Sequence, residues 1–251
     1  MTPARILIIA GSDSGGGAGI QADLKTVTLL GGFGMTAITA ITAQNTLGVQ
    51  GVHPIPTDMV LAQMESCISD IGVDAVKIGM IGSAQTAMAV AERLAGLDGG
   101  MIVFDPVMVA TSGSPLADAD TIAAFHKLMA IATLVTPNIP ELAALGGEEI
   151  AARFGTYVLA KGGHGEGAML TDQLIGPHGV AETWSDARID TPHTHGTGCT
   201  MASAIATGLG QGMALADAIT RARDYVRAAL TLAPGFGGGH GPMGAPFTFH
   251  A

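Results

Sequence analysis

The 251 residues carry 21 acidic against 11 basic side chains, a formal net charge of −10, which argues against nucleic acid as a partner, since nothing here neutralises a phosphate backbone. Apolar residues make up 48% of the chain, enough for a full core, but no apolar run reaches the roughly 20 residues of a membrane span. The cysteines, Cys67 and Cys199, offer neither a disulfide framework nor metal-ligand spacing. A polar Ser12-Asp13-Ser14 follows the first short apolar stretch where a secretory signal would continue, and no linker-like segment interrupts the chain. The expectation is one cytoplasmic domain.

In chain order, Ile6-Leu7-Ile8-Ile9-Ala10 reads as a strand that ends in Gly11-Ser12-Asp13-Ser14-Gly15-Gly16-Gly17-Ala18-Gly19. A helix is expected over 20–30, with Ile20, Leu24 and Val27 on one face. A glycine loop between strand and helix lies where α/β proteins bind small molecules. The glycines are too dense for a dinucleotide fingerprint, no Walker lysine followed by Ser or Thr is present, and a flexible lid explains them equally well. Asp23, one turn into the helix, is placed to face the site, and Lys25 to face solvent.

Residues 35–43 alternate threonine with apolar residues at strand period and end in Gln44-Asn45-Thr46. A carboxamide both donates and accepts, so Gln44 is able to read a heterocycle, although glutamine also serves turns. A short strand over 49–54 and a helix over 57–68 follow, the helix capped by Thr57 with Asp58 in its first turn. Residues 75–82 repeat the strand-then-glycine pattern before a helix over 83–97. Met101-Ile102-Val103-Phe104 then leads into Asp105-Pro106-Val107-Met108. A carboxylate at the end of a buried strand is costly unless paired or bound to a cation, so Asp105 is a candidate magnesium-water ligand, with a turn cap as the alternative.

Thr136-Pro137-Asn138-Ile139-Pro140-Glu141 brings Asn138 and Glu141 to a helix start after the strand Leu134-Val135. There Glu141 either complements the helix dipole or helps to hold metal and phosphate. Residues 157–164 form a strand that stops at Lys161 and two glycines. Two short β segments around 168–170 and 173–175, joined at Thr171-Asp172, are expected to form a hairpin over an adenine or at a sheet edge. A second hairpin is expected over 180–189. A long amphipathic helix over 215–232 and a glycine-rich tail over 234–246 end the chain.

Before that helix lies His195-Gly196-Thr197-Gly198-Cys199-Thr200, running into Met201-Ala202-Ser203-Ala204. A glycine-bracketed turn feeding a helix points unpaired backbone N–H groups into the turn and makes an anion cradle. Thr197 and Thr200 add hydroxyl donors. Cys199 falls in the first helical turn, where the dipole favours a thiolate; the alternative is a capped helix with a small buried cysteine. The strand and helix alternation implies a three-layer α/β/α sandwich on a largely parallel sheet, with its functional loops on one edge.

Several of these motifs, in this order, resemble the ribokinase-like kinases, and within them the hydroxymethylpyrimidine/phosphomethylpyrimidine kinases of thiamine synthesis. They are Ala10-Gly11-Ser12-Asp13-Ser14 with Gly16 to Asp23, Ala43-Gln44-Asn45-Thr46, Lys77-Ile78-Gly79-Met80, Asp105-Pro106-Val107-Met108, Thr136-Pro137-Asn138, Lys161-Gly162-Gly163-His164, the cradle, and Gly239-His240-Gly241-Pro242. The resemblance covers nearly the whole chain, 1–251, as a single ribokinase-like kinase domain. It implies transfer of the γ-phosphoryl of ATP to the hydroxymethyl group of 4-amino-5-hydroxymethyl-2-methylpyrimidine, then to the monophosphate.

By the same resemblance Gln44 binds the pyrimidine edge, with Gly11, Ala18, Asp23, Met80 and Val107 lining its pocket. Cys199 matches the position where many ribokinase-like enzymes place an aspartate base, while the amides of Gly196, Thr197, Gly198 and Cys199 stabilise the transferring phosphoryl. Asp105 and Glu141 match positions expected to hold Mg2+ through water. Asn138 and Lys161 match positions near the nucleotide phosphates. The family also suggests a homodimer. Two departures stand out: Thr111 occupies a position where the family often carries lysine, and the segment 165–188 is short. The nearest rival is a pyridoxal kinase of the same superfamily. A rival of another class is a non-catalytic ligand-binding protein on a kinase scaffold, whose signature would be an altered Asp105, Glu141 or cradle; all are present.

Overall fold

The computed structural model describes residues 2–97, 99–164 and 167–246. Arg5–Asp13 forms β1, in which Ile6, Leu7, Ile8 and Ile9 are all fully buried, as expected of a strand covered by helices on both faces. It pairs in parallel with β2 (Phe33–Asn45) on one side and β4 (Ala75–Ile78) on the other. Parallel pairing continues through β5 (Met101–Phe104), β6 (Leu134–Val135) and β7 (Tyr157–Ala160). Antiparallel strands finish both edges: β3 (Gly48–Pro54) beside β2, and β8 (Met169–Gly176) with β9 (Gly179–Ala187) beyond β7. Among the described residues the order is therefore β3-β2-β1-β4-β5-β6-β7-β8-β9. The chain leaves β1 towards β2 and later returns on its other side, so the carboxyl end of β1 is the switch point at which a crevice opens.

The alternation of β1 sorts the helices into two layers. Ile6 and Ile8 pack with residues of α1 (Gly19–Leu29), α7 (Thr197–Gly210) and α8 (Leu215–Thr231). Leu7 and Ile9 pack on the opposite face with residues of α2 (Thr57–Asp70), α3 (Ala84–Ala95), α4 (Ala119–Met129), α5 (Ile139–Leu145) and α6 (Glu149–Phe154). Phe104 and Phe125 meet edge-to-face there, 5.1 Å between centroids. Each such fully buried aliphatic or aromatic side chain contributes about 1.5–3 kcal/mol. The central helix α7 is buried from Thr200 through Leu209. Its small residues allow this: a Cβ on Gly208 would sit 2.8 Å from that of Ala218 in α8. Close packing carries the N-terminus of α7 into the crevice.

Three expectations change. The hairpin turning at Thr171-Asp172 is one continuous strand, β8, and the second expected hairpin is its partner β9, with the turn at Pro177-His178. Asp172 reads as a turn residue because it is charged, yet it is buried, accepts from the Gly162 N–H at 2.8 Å and pairs with Arg223 of α8. Thr57 does not cap α2; Pro56 holds the cap position without a side-chain bond, and the Thr57 hydroxyl meets that of Thr86 at 2.9 Å. Helices α4 and α6, not anticipated from periodicity, also form. Asp118 starts α4 by accepting from Thr121 N–H at 2.8 Å. Residue 165, the start of the segment read as short, lies outside the described residues.

Candidate active site

The glycine loop after β1 is wound around one carboxylate. Asp13 accepts from the N–H groups of Gly15 at 2.8 Å, Gly17 at 3.1 Å and Ala18 at 2.8 Å, and lies 2.9 Å from His195 Nε2. Burial opposes its charge, but His195 and the Ala18 and Gly15 amides outweigh burial and hold the carboxyl below its ordinary range. The loop is thereby an ordered turn rather than a loose lid. It interlocks with the cradle: Gly196, left-handed at φ 87° as the N-cap of α7, lies so close to the Gly17 carbonyl that no side chain would fit. The tail joins the same assembly, with His195 N–H donating to Gly241 O at 3.2 Å and Gly239 N–H to Thr46 Oγ1 at 3.4 Å.

Cys199 stands in the first turn of α7, half-buried. Burial pushes its thiol up to about 11, and the carboxylates of Asp23 and Asp105 add to this; the Lys77 charge and the Gly19 N–H act in the opposite sense. The expected thiolate is thus corrected to a thiol in the free chain, because desolvation exceeds the partial charge of a helix terminus. Beneath it lies an ion pair that the sequence does not announce. Lys77 Nζ donates to Asp23 at 2.9 and 2.8 Å and Ser203 Oγ donates to the same carboxylate at 2.7 Å, with both charged side chains fully buried. Burial works to strip the proton from Lys77, but Asp23, Cys199 and Asp105 together keep it above the ordinary lysine value. Asp23 is therefore fully buried beneath the cradle, paired with Lys77.

On the other side of the same turn, Asp105 accepts from Thr136 Oγ1 at 2.9 Å and from Lys161 Nζ at 3.0 Å. A Cβ on Gly198 would be 3.3 Å from this carboxylate and 3.4 Å from Lys161 Nζ, so the cradle opens onto the pair. Asn138 and Glu141 form a reciprocal capping box at the start of α5, each accepting the other's backbone N–H, at 2.8 and 2.9 Å. The oxygen of Asn138 is thus committed to the helix. Burial first, and the Asp105 charge second, raise Glu141 to about 7. No group of three or more His, Cys, Asp or Glu among the described residues is arranged to hold a metal. Asp105 and Glu141 still fit a magnesium ion, which takes one or two carboxylates and keeps water and phosphate oxygens, and whose charge would relieve their repulsion.

Gln44, next to last in β2, is half-buried, its Nε2 3.3 Å from His195 Nε2 and its Oε1 3.2 Å from Thr42 Oγ1. Ala18, Met80 and Val107 are also half-buried, and Gly11 touches the Met80 methyl. Thr111 Oγ1, where a lysine was expected by resemblance, lies 3.3 Å from His195 Nδ1. Asp13, Thr42, Lys77, Thr136, His195 and Ser203 stand within the segments quoted from the sequence, but no individual role was read for them there. Lys77 had a signal, a charge inside an otherwise apolar strand.

The family model described as phosphomethylpyrimidine kinase matches residues 13–244. The chain is 48% identical over 253 residues to the thiamine biosynthesis bifunctional protein ThiED of Geobacter sulfurreducens, covering 95% of this chain and 51% of that protein, so it spans about half the length of that relative. It is 45% identical over 261 residues to the hydroxymethylpyrimidine/phosphomethylpyrimidine kinase of Streptomyces coelicolor, covering 97% and 94% of the two chains. Among solved structures, the pyridoxal kinase from Staphylococcus aureus in complex with AMP-PCP and pyridoxal superposes with a TM-score of 0.88 at 30% identity, over 98% of this chain and 94% of that one.

Proposed function

This chain belongs to the phosphomethylpyrimidine kinase family, and from that premise we propose that it phosphorylates 4-amino-5-hydroxymethyl-2-methylpyrimidine with ATP, first to the monophosphate and then to the diphosphate, for thiamine diphosphate synthesis. The observation that carries this reading is the first turn of α7, with a heterocycle-reading amide on one side and a carboxylate–lysine cluster on the other. Gln44 orients the ring, with Met80, Val107, Gly11 and Ala18 around it. The backbone N–H groups of Gly196 to Cys199 face the phosphoryl in flight, where fixed donors act on charge as it develops. Lys161 and the Asn138 amide meet the nucleotide phosphates.

Cys199 takes the hydroxymethyl proton as the O–P bond forms. With its thiol at about 11, only about one molecule in a thousand carries the thiolate at pH 8, and Lys77 and Gly19 N–H offset part of the cost of forming it. The second transfer needs no such base, because a phosphate monoester is already mostly ionised at neutral pH. Mg2+ held by Asp105 and Glu141 through water would neutralise the triphosphate. The working protein is read as a cytoplasmic homodimer with a single catalytic domain per chain. Exposed Ile41, Leu47 and Val52 near the β2–β3 edge support association, which sedimentation equilibrium checks.

The likeness to a pyridoxal-bound kinase keeps one second reading, vitamin B6 phosphorylation. The deciding assay is ADP release with MgATP and each of hydroxymethylpyrimidine and pyridoxal, with products weighed by mass spectrometry. Mono- and diphosphate from the pyrimidine are expected. Turnover of pyridoxal alone would transfer the assignment.

A further inference from the structure

We propose that His195 and Thr42 are positioning residues that fix which way round Gln44 presents its carboxamide, and thereby make the site select an amino over an oxo substituent on the pyrimidine; this rests on the substrate reading above. The two ends of a carboxamide are alike in shape, so the protons of its neighbours decide which end goes where. Thr42 has a single hydroxyl proton, and the Ser12 carbonyl accepts it at 2.9 Å. Thr42 Oγ1 is left with lone pairs towards Gln44. His195 Nε2 lies 2.9 Å from Asp13 Oδ2, a carboxylate that accepts three backbone N–H groups and is held below its ordinary range by His195 and by the Ala18 and Gly15 amides. Nε2 therefore carries a proton, while Nδ1 lies 3.3 Å from Thr111 Oγ1.

The structure draws the amide with Oε1 beside Thr42 Oγ1 and Nε2 beside His195 Nε2; in that same plane both neighbours select the opposite ends, the NH2 towards the Thr42 oxygen and the carbonyl towards His195 Nε2–H, which Asp13 shares. Each end of the amide then keeps one free partner on the edge away from the chain, an N–H and a lone pair side by side. That edge matches a ring nitrogen next to an exocyclic amine. A 4-oxo analogue presents a ring N–H next to a carbonyl, the reverse order, and would need the amide turned end for end. Turning it would leave two donors facing at His195 and two acceptors facing at Thr42, and sites with unpaired buried groups discriminate strongly.

The test is steady-state kinetics of the full chain with MgATP on hydroxymethylpyrimidine and its 4-oxo analogue. Wild type should prefer the amine by about a hundredfold or more in kcat/KM. His195→Ala should raise KM for the amine about tenfold, hold kcat within about threefold, and cut the amine-over-oxo preference about tenfold. His195→Gln, which returns an N–H near the same place, should restore the preference. Thr42→Val lies away from the cradle and should lower the preference in the same way, while Thr42→Ser should keep it; melting curves confirm that each variant is folded. Unchanged preference in folded His195→Ala and Thr42→Val, or a loss confined to kcat, overturns the inference while leaving the substrate reading intact. A wild type that phosphorylates neither pyrimidine overturns both.

Discussion

Two lysine–aspartate pairs flank the first turn of α7, and they differ in their access to water. Lys77 and Asp23 are both 0% exposed, whereas Lys161 is 15% and Asp105 3% exposed. The sealed pair has Ser203 as a third partner. The open pair has a second carboxylate, Glu141, driven up to about 7 by burial and by Asp105, an excess of negative charge that a cation or a phosphate-bound metal would relieve. Identical residue types thus form a fixed base on one side of the cradle and an exchangeable charge cluster on the other.

The sharpest way to break this comparison is to remove one partner of each pair. Lys77→Met leaves a buried, unpaired Asp23 and should cost about 3–5 kcal/mol in urea denaturation, most of which the double variant with Asp23→Leu should restore. Lys161→Met should lose far less stability, yet reduce turnover about a hundredfold if its charge faces phosphate as proposed. Equal stability losses from the two lysine variants would erase the distinction between sealed and open.

Cys199, between the pairs, comes next. Cys199→Ala should slow the first transfer about a hundredfold and the second by only a few fold, read by product mass in single-turnover experiments. Because the thiol is raised to about 11, the first-transfer rate should climb about tenfold per pH unit from pH 7 to 9, while the second stays flat. The sign for stability is opposite: the unfolded thiol ionises near its ordinary value of 9.0 and the folded one near 11, so stability falls as pH rises through that window. Cys199→Ala should lack this alkaline loss.

The smallest effect belongs to Glu141. Its folded carboxyl is raised from 4.5 to about 7, so its contribution is fully present below pH 4.5 and is lost as pH rises through 7. Glu141→Gln should flatten the melting temperature over that range. Mg2+ with ADP should stabilise wild type more at pH 8 than at pH 6, and omission of Mg2+ should remove that pH dependence. A magnesium effect unchanged in Glu141→Gln would place the ion elsewhere.

Local chemistry was legible in the sequence wherever a few neighbouring residues decide it. The strand entering the glycine loop, the cradle at the head of α7 and the helix start at Asn138 and Glu141 all depend on short-range backbone geometry, and each forms where its motif stands. The long helix near the end of the chain was expected over 215–232 and runs Leu215–Thr231. Asp172 misled because a charged residue reads as a turn until its partner is known, and Arg223 comes from a helix far along the chain.

By itself, then, the sequence determined the α/β alternation, the loops at the strand ends and the residue types available for phosphoryl transfer, since period and turn chemistry are local. Only the tertiary structure decided which charges pair. Asp23 is 54 residues from Lys77, and Asp13 is 182 from His195. The protonation of Cys199 was likewise decided there, because a helix dipole can be read from a motif while desolvation depends on what the rest of the chain packs around the sulfur.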